Sequence, residues 1–91
     1  MAEWACHWVK GDTYEIVNNL GRTATGVRLS THGPMVAAGT RDWSREYGDI
    51  EAGRAISQKF KTGMGRRREQ AFVLVEWNDD KGRHSQEIPF D

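Results

Sequence analysis

Apolar residues recur at every second position in several short runs of this sequence, and this period of two most constrains the fold. Trp4, Cys6 and Trp8 alternate with small or polar residues near the start, and Val27 and Leu29 follow the same alternation further on. Successive side chains of a β-strand point to opposite faces, so each run predicts a strand with one buried face. The pattern predicts an all-β protein.

Turn-forming residues separate these runs at roughly 8–12 residues, the spacing typical of sandwiches and barrels. Residues 18–21 and 78–82 contain the Asn, Asp and Gly that favour tight turns. The clearest strand, Ala71–Trp77, is apolar on both faces over most of its length, which predicts a central position in a sheet. Pro89 lacks a backbone donor, so we expect the last strand at a sheet edge.

The middle of the chain has a less distinct pattern. Trp43 and Tyr47 stand four positions apart, a spacing that one helical turn would also give. We interpret residues 39–48 as an irregular crossover that places at least one of these aromatic side chains on the core. The alternation from Ile56 to Phe60 favours a strand, and a short helix within residues 44–61 is the alternative.

The totals limit both size and setting. A chain of 91 residues allows one domain, 1–91, and its hydrophobic content of 37% suffices for one layered core. The formal net charge of zero gives no bulk attraction to nucleic acid or membranes. One cysteine allows no internal disulfide, and neither a signal peptide nor an apolar run of about 20 residues is visible. We predict a cytoplasmic protein without a membrane partner.

Three stretches resemble small immunoglobulin-like and fibronectin-III-like β-sandwich domains of the adhesion-module (CARDB-like) type. They are residues 14–29, with an Asn-x-Gly turn before a strand that contains Val27; the turn Ile50-Glu51-Ala52-Gly53; and residues 72–82, a core strand and hairpin. The resemblance spans about residues 14–90, although the paired cysteines of antibody domains are missing and Trp77 lies late in the chain. It implies a tendency to bind partners and no catalytic residue.

The fold prediction combines these signals. We predict a single immunoglobulin-like antiparallel β-sandwich of about seven strands. The alternative is a small OB-like or SH3-like barrel, with or without the short helix in the middle of the chain.

Residues able to support catalysis or metal binding are present without the required spacing. Cys6 and His7 are adjacent, so on a strand they point to opposite faces and make a poor metal site. His84 and Ser85 face apart for the same reason, and the sequence has no G-x-S-x-G elbow. The Gly-x-Gly at Gly63 leads into a strand where a phosphate site needs a helix. We predict no enzyme, metal or cofactor.

The remaining candidate features are a basic stretch and an aromatic strand. The basic stretch, residues 59–68, suits binding to an acidic protein surface or to a phosphate backbone. The alternative interpretation is a loop whose charge makes the domain soluble. Two Trp on one strand either close the core or extend beyond it as a partner patch or homodimer seam. The candidate partner-binding residues are Lys59, Lys61, Arg66, Arg67, Arg68, Trp4 and Trp8.

These features lead to one preferred function and two alternatives. We predict a non-enzymatic protein–protein interaction module that binds through a sheet edge or the basic stretch. Such a module suits a small regulator or a phage-encoded protein acting on a host target, and a homodimer is compatible with it. The alternatives are a nucleic-acid-binding β-barrel and a structural or assembly subunit.

Overall fold

The computed structural model describes residues 4–33, 35–37, 39–62 and 71–90, and these residues form nine β-strands. The strands are β1 (Trp4–Lys10), β2 (Thr13–Asn18), β3 (Ala24–His32), β4 (Met35–Ala37), β5 (Thr40–Arg41), β6 (Ser44–Ile50), β7 (Ala55–Thr62), β8 (Ala71–Asp79) and β9 (Gly82–Phe90). No helix occurs within these described ranges. The predicted all-β class is confirmed, and the alternative of a short helix within residues 44–61 is wrong.

The strands form two antiparallel sheets, ordered β1-β2-β7-β4-β5 and β6-β3-β8-β9. The chain crosses from one sheet to the other after β2, β3, β5, β6 and β7, so most neighbouring strands are distant in sequence. Two separate sheets enclosing one core make a β-sandwich, as predicted, and the barrel alternative is wrong. Seven strands have six or more residues, matching the expected number, and β4 and β5 are short additions.

The core lies between the inner faces of the two sheets. Alternate residues of β8 are buried there, and Val27 and Leu29 of β3 are fully buried, as the alternation predicts. Burying such side chains removes their apolar surface from water, the main stabilising contribution in a domain of this size. The buried hydrophobic residues are Trp4, Ile16, Ala24, Val27, Leu29, Ala37, Ile56, Phe60, Ala71, Val73, Val75, Trp77 and Ile88.

The two strands at the end of the chain occupy their predicted positions. β8 lies between β3 and β9, and β9, which contains Pro89, is an edge strand. The sequence of β8 is apolar on both faces over most of its length, but only its inner face is fully buried. Phe72 and Leu74 are half-buried because they point away from the other sheet.

The chain does cross between the sheets within residues 39–48, after β5, but the irregular conformation predicted there is wrong for Ser44–Ile50, which forms strand β6 against β3. This strand is an edge strand with mostly exposed side chains, so its sequence lacks the apolar alternation of a core strand. The expectation for its aromatic residues is confirmed. Trp43 and Tyr47 are half-buried and pack against the core.

A buried asparagine fixes two of the connections at one end of the sandwich. The side chain of Asn18 donates hydrogen bonds to the carbonyls of Arg22 and Ile50, each at 2.9 Å, and accepts one from the Leu20 amide at 2.8 Å. Its backbone amide donates to the Arg54 carbonyl and its carbonyl accepts from the Gly53 amide, so its peptide groups also bind the β6–β7 turn. A fully buried amide needs such partners, and Asn18 thereby ties the β2–β3 turn to the β6–β7 turn.

Candidate functional site

The two tryptophans of β1 share a face of the strand but differ in exposure. Trp4 is 3% exposed and packs edge-on against Trp77, with ring centroids 5.8 Å apart. Trp8 is 65% exposed. The expectation that both indoles face a partner is therefore corrected for Trp4, whose side chain belongs to the core.

Trp8 is exposed because β1 carries it past the end of the core. Its indole Nε1 donates a hydrogen bond of 2.8 Å to the carbonyl of Gly11, in the turn that leads into β2. The register between β1 and β2 shifts after Trp8, and the next residue, Val9, is 43% exposed. Large apolar side chains that remain exposed mark candidate interaction surfaces when they lie together.

An open groove runs between β1 and β9, the edge strands of the two sheets on one side of the sandwich. Its volume is about 490 Å³, and we call it the seam groove. The two strands belong to different sheets, so no ladder of backbone hydrogen bonds closes the gap between them. The lining residues are Trp4, Cys6, Trp8, Tyr14, Gln86, Glu87, Ile88 and Pro89.

One side chain bridges the seam groove at its buried end. Gln86 on β9 accepts a hydrogen bond from the Trp4 amide at 2.9 Å and donates one to the Trp4 carbonyl at 3.0 Å. A neighbouring strand would bind the same two backbone groups in the same way. The Gln86 amide therefore caps the edge of β1 at Trp4.

The rest of the β1 edge is open. In an antiparallel pair, alternate residues direct both backbone groups away from the partner strand. Trp4 does so, because Gln86 binds both of its groups, and Cys6 and Trp8 follow at two-residue steps in the same register. No hydrogen bond between described residues occupies the outward-facing backbone groups of Cys6 and Trp8, which we call the open edge.

Cys6 contributes an apolar thiol to this site. The side chain is half-buried, and this burial raises the pKa of the Cys6 thiol above its ordinary value. The thiol is therefore protonated at neutral pH, which removes the thiolate that nucleophilic attack or metal binding requires. His7 points to the opposite face of β1 and is exposed, as the strand pattern predicts.

The two described lysines of the basic stretch lie elsewhere. Lys59 and Lys61 are exposed on the outer face of β7, which is separated from β1 by β2. They line an open hollow of about 850 Å³ together with Asp12, Thr13 and others. Arg66, Arg67 and Arg68 lie outside the described residues. The structure thus does not bring the lysines together with Trp8.

A cluster of hydrogen bonds and ion pairs around the Asp79 carboxylate, at the β8–β9 turn, was not predicted from the sequence. Asp79 accepts hydrogen bonds from His84 Nε2 at 2.9 Å and from the Lys81 amide at 2.7 Å, and Arg22 lies 3.5 Å away. The His84 hydrogen bond, followed by that of Lys81, holds the pKa of Asp79 below its usual value. The turn sequence gave one usable signal, since Asp commonly bonds the amide two residues later.

This cluster is a structural ion-pair network. A catalytic triad needs a nucleophile within hydrogen-bonding reach of the histidine. Among the described residues, the hydrogen bonds of His84 lead to Asp79, and its ring stacks on Trp77 with centroids 5.6 Å apart. Ser85 follows on the opposite face of β9 and pairs with Glu76, as the alternation predicts.

Comparison of the chain with protein-family models, curated proteins and solved structures finds no match. The described part of the chain also contains no helix long and apolar enough to cross a membrane. The functional interpretation therefore depends on the geometry of the seam groove and the open edge.

Proposed function

We propose that this chain is a non-enzymatic protein–protein interaction module that contacts its partner through β1. The exposure of Trp8 is the observation that carries the proposal: a 65% exposed indole lies on an edge strand beside an open groove. Trp is enriched among the residues that dominate binding energy at protein interfaces. An unpaired strand edge also offers backbone groups to which an extended segment binds.

The chemistry of the groove supports a protein partner. Its lining is about half apolar and half polar, and its charged group, Glu87, would repel a phosphate backbone. The thiol of Cys6 is held protonated by burial, so it acts as an apolar contact. Such a surface suits the apolar side chains and peptide groups of another protein.

The alternative of nucleic-acid binding has weaker support. Lys59 and Lys61 share their hollow with Asp12, and Glu15 lies on the same outer face of the sheet. These carboxylates offset the positive charge that a phosphate backbone requires. The structure offers no exposed aromatic side chain next to Lys59 and Lys61 among the residues lining that hollow, although stacking would need one.

The setting is part of the same proposal. A cytoplasmic regulator, or a phage-encoded protein acting on a host target, is the context that the sequence favours. The single cysteine, Cys6, supports it, because small secreted domains usually depend on several disulfides.

The proposal is tested by comparing captured partners. Tagged wild-type protein, Trp8→Ala and the double variant Lys59→Glu/Lys61→Glu are used as baits in nuclease-treated extract of the native host, with quantitative mass spectrometry. We expect Trp8→Ala to lose at least 90% of a specific partner, corresponding to an affinity loss of about tenfold or more. The lysine variant should retain that partner.

Two results would contradict the proposal. If Trp8→Ala captures the same proteins at the same level, β1 is not the binding surface. If instead the lysine variant loses its partners and the wild type retains nucleic acid in untreated extract, the basic face is the binding site. Both variants need wild-type circular dichroism, so that loss of fold does not imitate loss of contact.

A further inference from the structure

The open edge presents free backbone groups that a second β-strand can bind. Gln86 occupies the backbone groups of Trp4, so an added strand has two free positions within β1, Cys6 and Trp8. A second copy of β1 that runs antiparallel to the first can use both positions. Its Trp8 then pairs with Cys6 of the first copy, and its Cys6 pairs with Trp8.

We propose that a second copy of this chain occupies the open edge, with the two β1 strands antiparallel about a two-fold axis at His7. The proposal rests on the function proposed above and identifies the occupant of the site when no other partner is bound. In this register Cys6 of each copy pairs with Trp8 of the other, and the two His7 residues face each other. The two five-stranded sheets join into one continuous sheet of ten strands.

The side chains match this register. Trp8 of each copy lies across from Cys6 of the other on the inner face, where the half-buried Cys6 lines the seam groove. The exposed indole of each copy thereby fills the groove of the other. A two-fold interface requires such self-complementarity, in which residue i contacts residue j and j contacts i.

The charges are complementary as well. The regular part of β1 ends at Trp8, so Lys10 of one copy lies just past the paired residues, near Trp4 of the other, whose backbone is bound by Gln86. Glu87, the next residue of β9, is exposed and lines the groove at that point. Antiparallel pairing thus directs each Lys10 towards the Glu87 of the other copy, and symmetry gives two such pairs. Opposite charges that meet across an interface fix its register.

The first test is the mass of the particle in solution. A paired edge with two indoles is smaller than the roughly 1,200–2,000 Å² of a stable interface, so we expect a weak, concentration-dependent dimer. Sedimentation equilibrium of the full chain between about 1 µM and 1 mM covers the corresponding range of affinity. We expect a monomer–dimer equilibrium that Trp8→Ala weakens at least tenfold. A monomer throughout, or a dimer unaffected by Trp8→Ala, overturns the proposal.

A crosslinking experiment tests the register directly. His7→Cys in a Cys6→Ala background places two thiols opposite each other in a non-hydrogen-bonded pair, where Cα atoms are about 4.5 Å apart. Oxidised glutathione should convert this variant into a covalent dimer. Ala5→Cys in the same background is the matched control, because it lies opposite Val9 of the other copy. Equal crosslinking of both variants, or of the control alone, contradicts the register.

A charge exchange tests the ends of the interface. Lys10→Glu and Glu87→Lys should each weaken the dimer by about threefold to tenfold, since each places like charges together. The double variant Lys10→Glu/Glu87→Lys restores opposite charges and should recover most of the affinity. Two additive losses without recovery would show that these residues do not meet.

The outcome also separates this proposal from the function on which it rests. If the chain is monomeric and Trp8→Ala still loses a captured partner, a foreign segment occupies the edge and the second copy does not. If the chain dimerises as described but Trp8→Ala captures the same partners as the wild type, the dimer is real and the proposed interaction surface for another protein is wrong.

Discussion

The two sides of this sandwich use aromatic residues in opposite ways. On the side of β6 and β7, Trp43 packs edge-on against Phe60 at 6.0 Å, and Tyr47 donates a hydrogen bond to Gln58 across the sheets at 3.4 Å. On the side of β1 and β9, Trp4 packs against Trp77 and exchanges two backbone hydrogen bonds with the Gln86 amide, but the indole of Trp8 is exposed.

The difference distinguishes residues that stabilise the fold from residues that are available to bind a partner. The β6 side is closed by side chains that bridge the sheets, and Arg45 covers the Tyr47 ring at 5.2 Å. The β1 side has an open groove of mixed polarity and free backbone groups within the same small domain. An unpaired edge of this kind can pair with a strand of another chain, and natural sheets usually protect such edges. We infer that the aromatic residues of the first side support the fold, whereas the second side combines one that does, Trp4, with one that is available for binding, Trp8.

Removing Phe60 should produce the largest effect on the β6 side, because its ring is 2% exposed and contacts Tyr14 of β2 and Trp43 of the β5–β6 connection. We expect Phe60→Ala to lower the free energy of unfolding by about 3–5 kcal/mol, the usual cost of such a truncation. Urea denaturation followed by Trp fluorescence measures it. Phe60→Leu, which keeps most of the volume, should lose clearly less. Equal losses for the two variants would mean that packing at this site is not what closes the β6 side.

Thr31→Val should produce a smaller loss on the same side. The buried Thr31 hydroxyl accepts a hydrogen bond from the Trp43 amide at 2.9 Å, and valine has nearly the same shape without this acceptor. Leaving the amide without its partner should cost about 1–3 kcal/mol. The same urea experiment measures it, with Thr25→Val on an exposed part of β3 as the control. A loss no greater than that of the control would show that the hydroxyl does not hold Trp43.

The sequence predicts the core better than the edges of the sheets. Core positions such as Val27, Leu29 and Val73 follow from alternation because burial acts on every second residue of a strand. Alternation does not identify β6, because an edge strand needs few apolar residues. Trp4 and Trp8 look equivalent in sequence, and only the position of the core decides which of them is buried.

The candidate site could be predicted only in part for the same reason. Trp8 was identified from its residue type, but Gln86 was not, because its role depends on a contact 82 residues away along the chain. No local pattern encodes such a pair. The cluster around Asp79 likewise requires Arg22 from a distant turn. Turns and alternation are local patterns that can be recognised in the sequence. Contacts between the edges of the two sheets depend instead on how the sheets pack against each other.

Asp79→Asn should change the pH dependence of stability at the open side. The native pKa of Asp79 is lowered, chiefly by the His84 hydrogen bond, so the charged carboxylate stabilises the fold above the unfolded pKa of about 3.9. That contribution is lost as pH falls towards the lower native pKa. Urea midpoints between about pH 3 and 6 should show wild type and variant converging in acid. Asp80→Asn, an exposed neighbour, is the control. A constant difference across this range would contradict the assignment.

Trp8→Ala should have the smallest effect on stability, and it sharpens the comparison most. Its indole is 65% exposed and makes one exposed hydrogen bond, so we expect the free energy of unfolding to change by no more than about 0.5 kcal/mol. Trp4→Ala is the matched control on the same strand face and should lose about 3–5 kcal/mol, because that indole is buried against Trp77. Similar losses for the two variants would mean that Trp8 supports the fold. If the losses differ as expected, removing Trp8 leaves the domain intact, and any fall in partner capture or self-association reports on binding at β1.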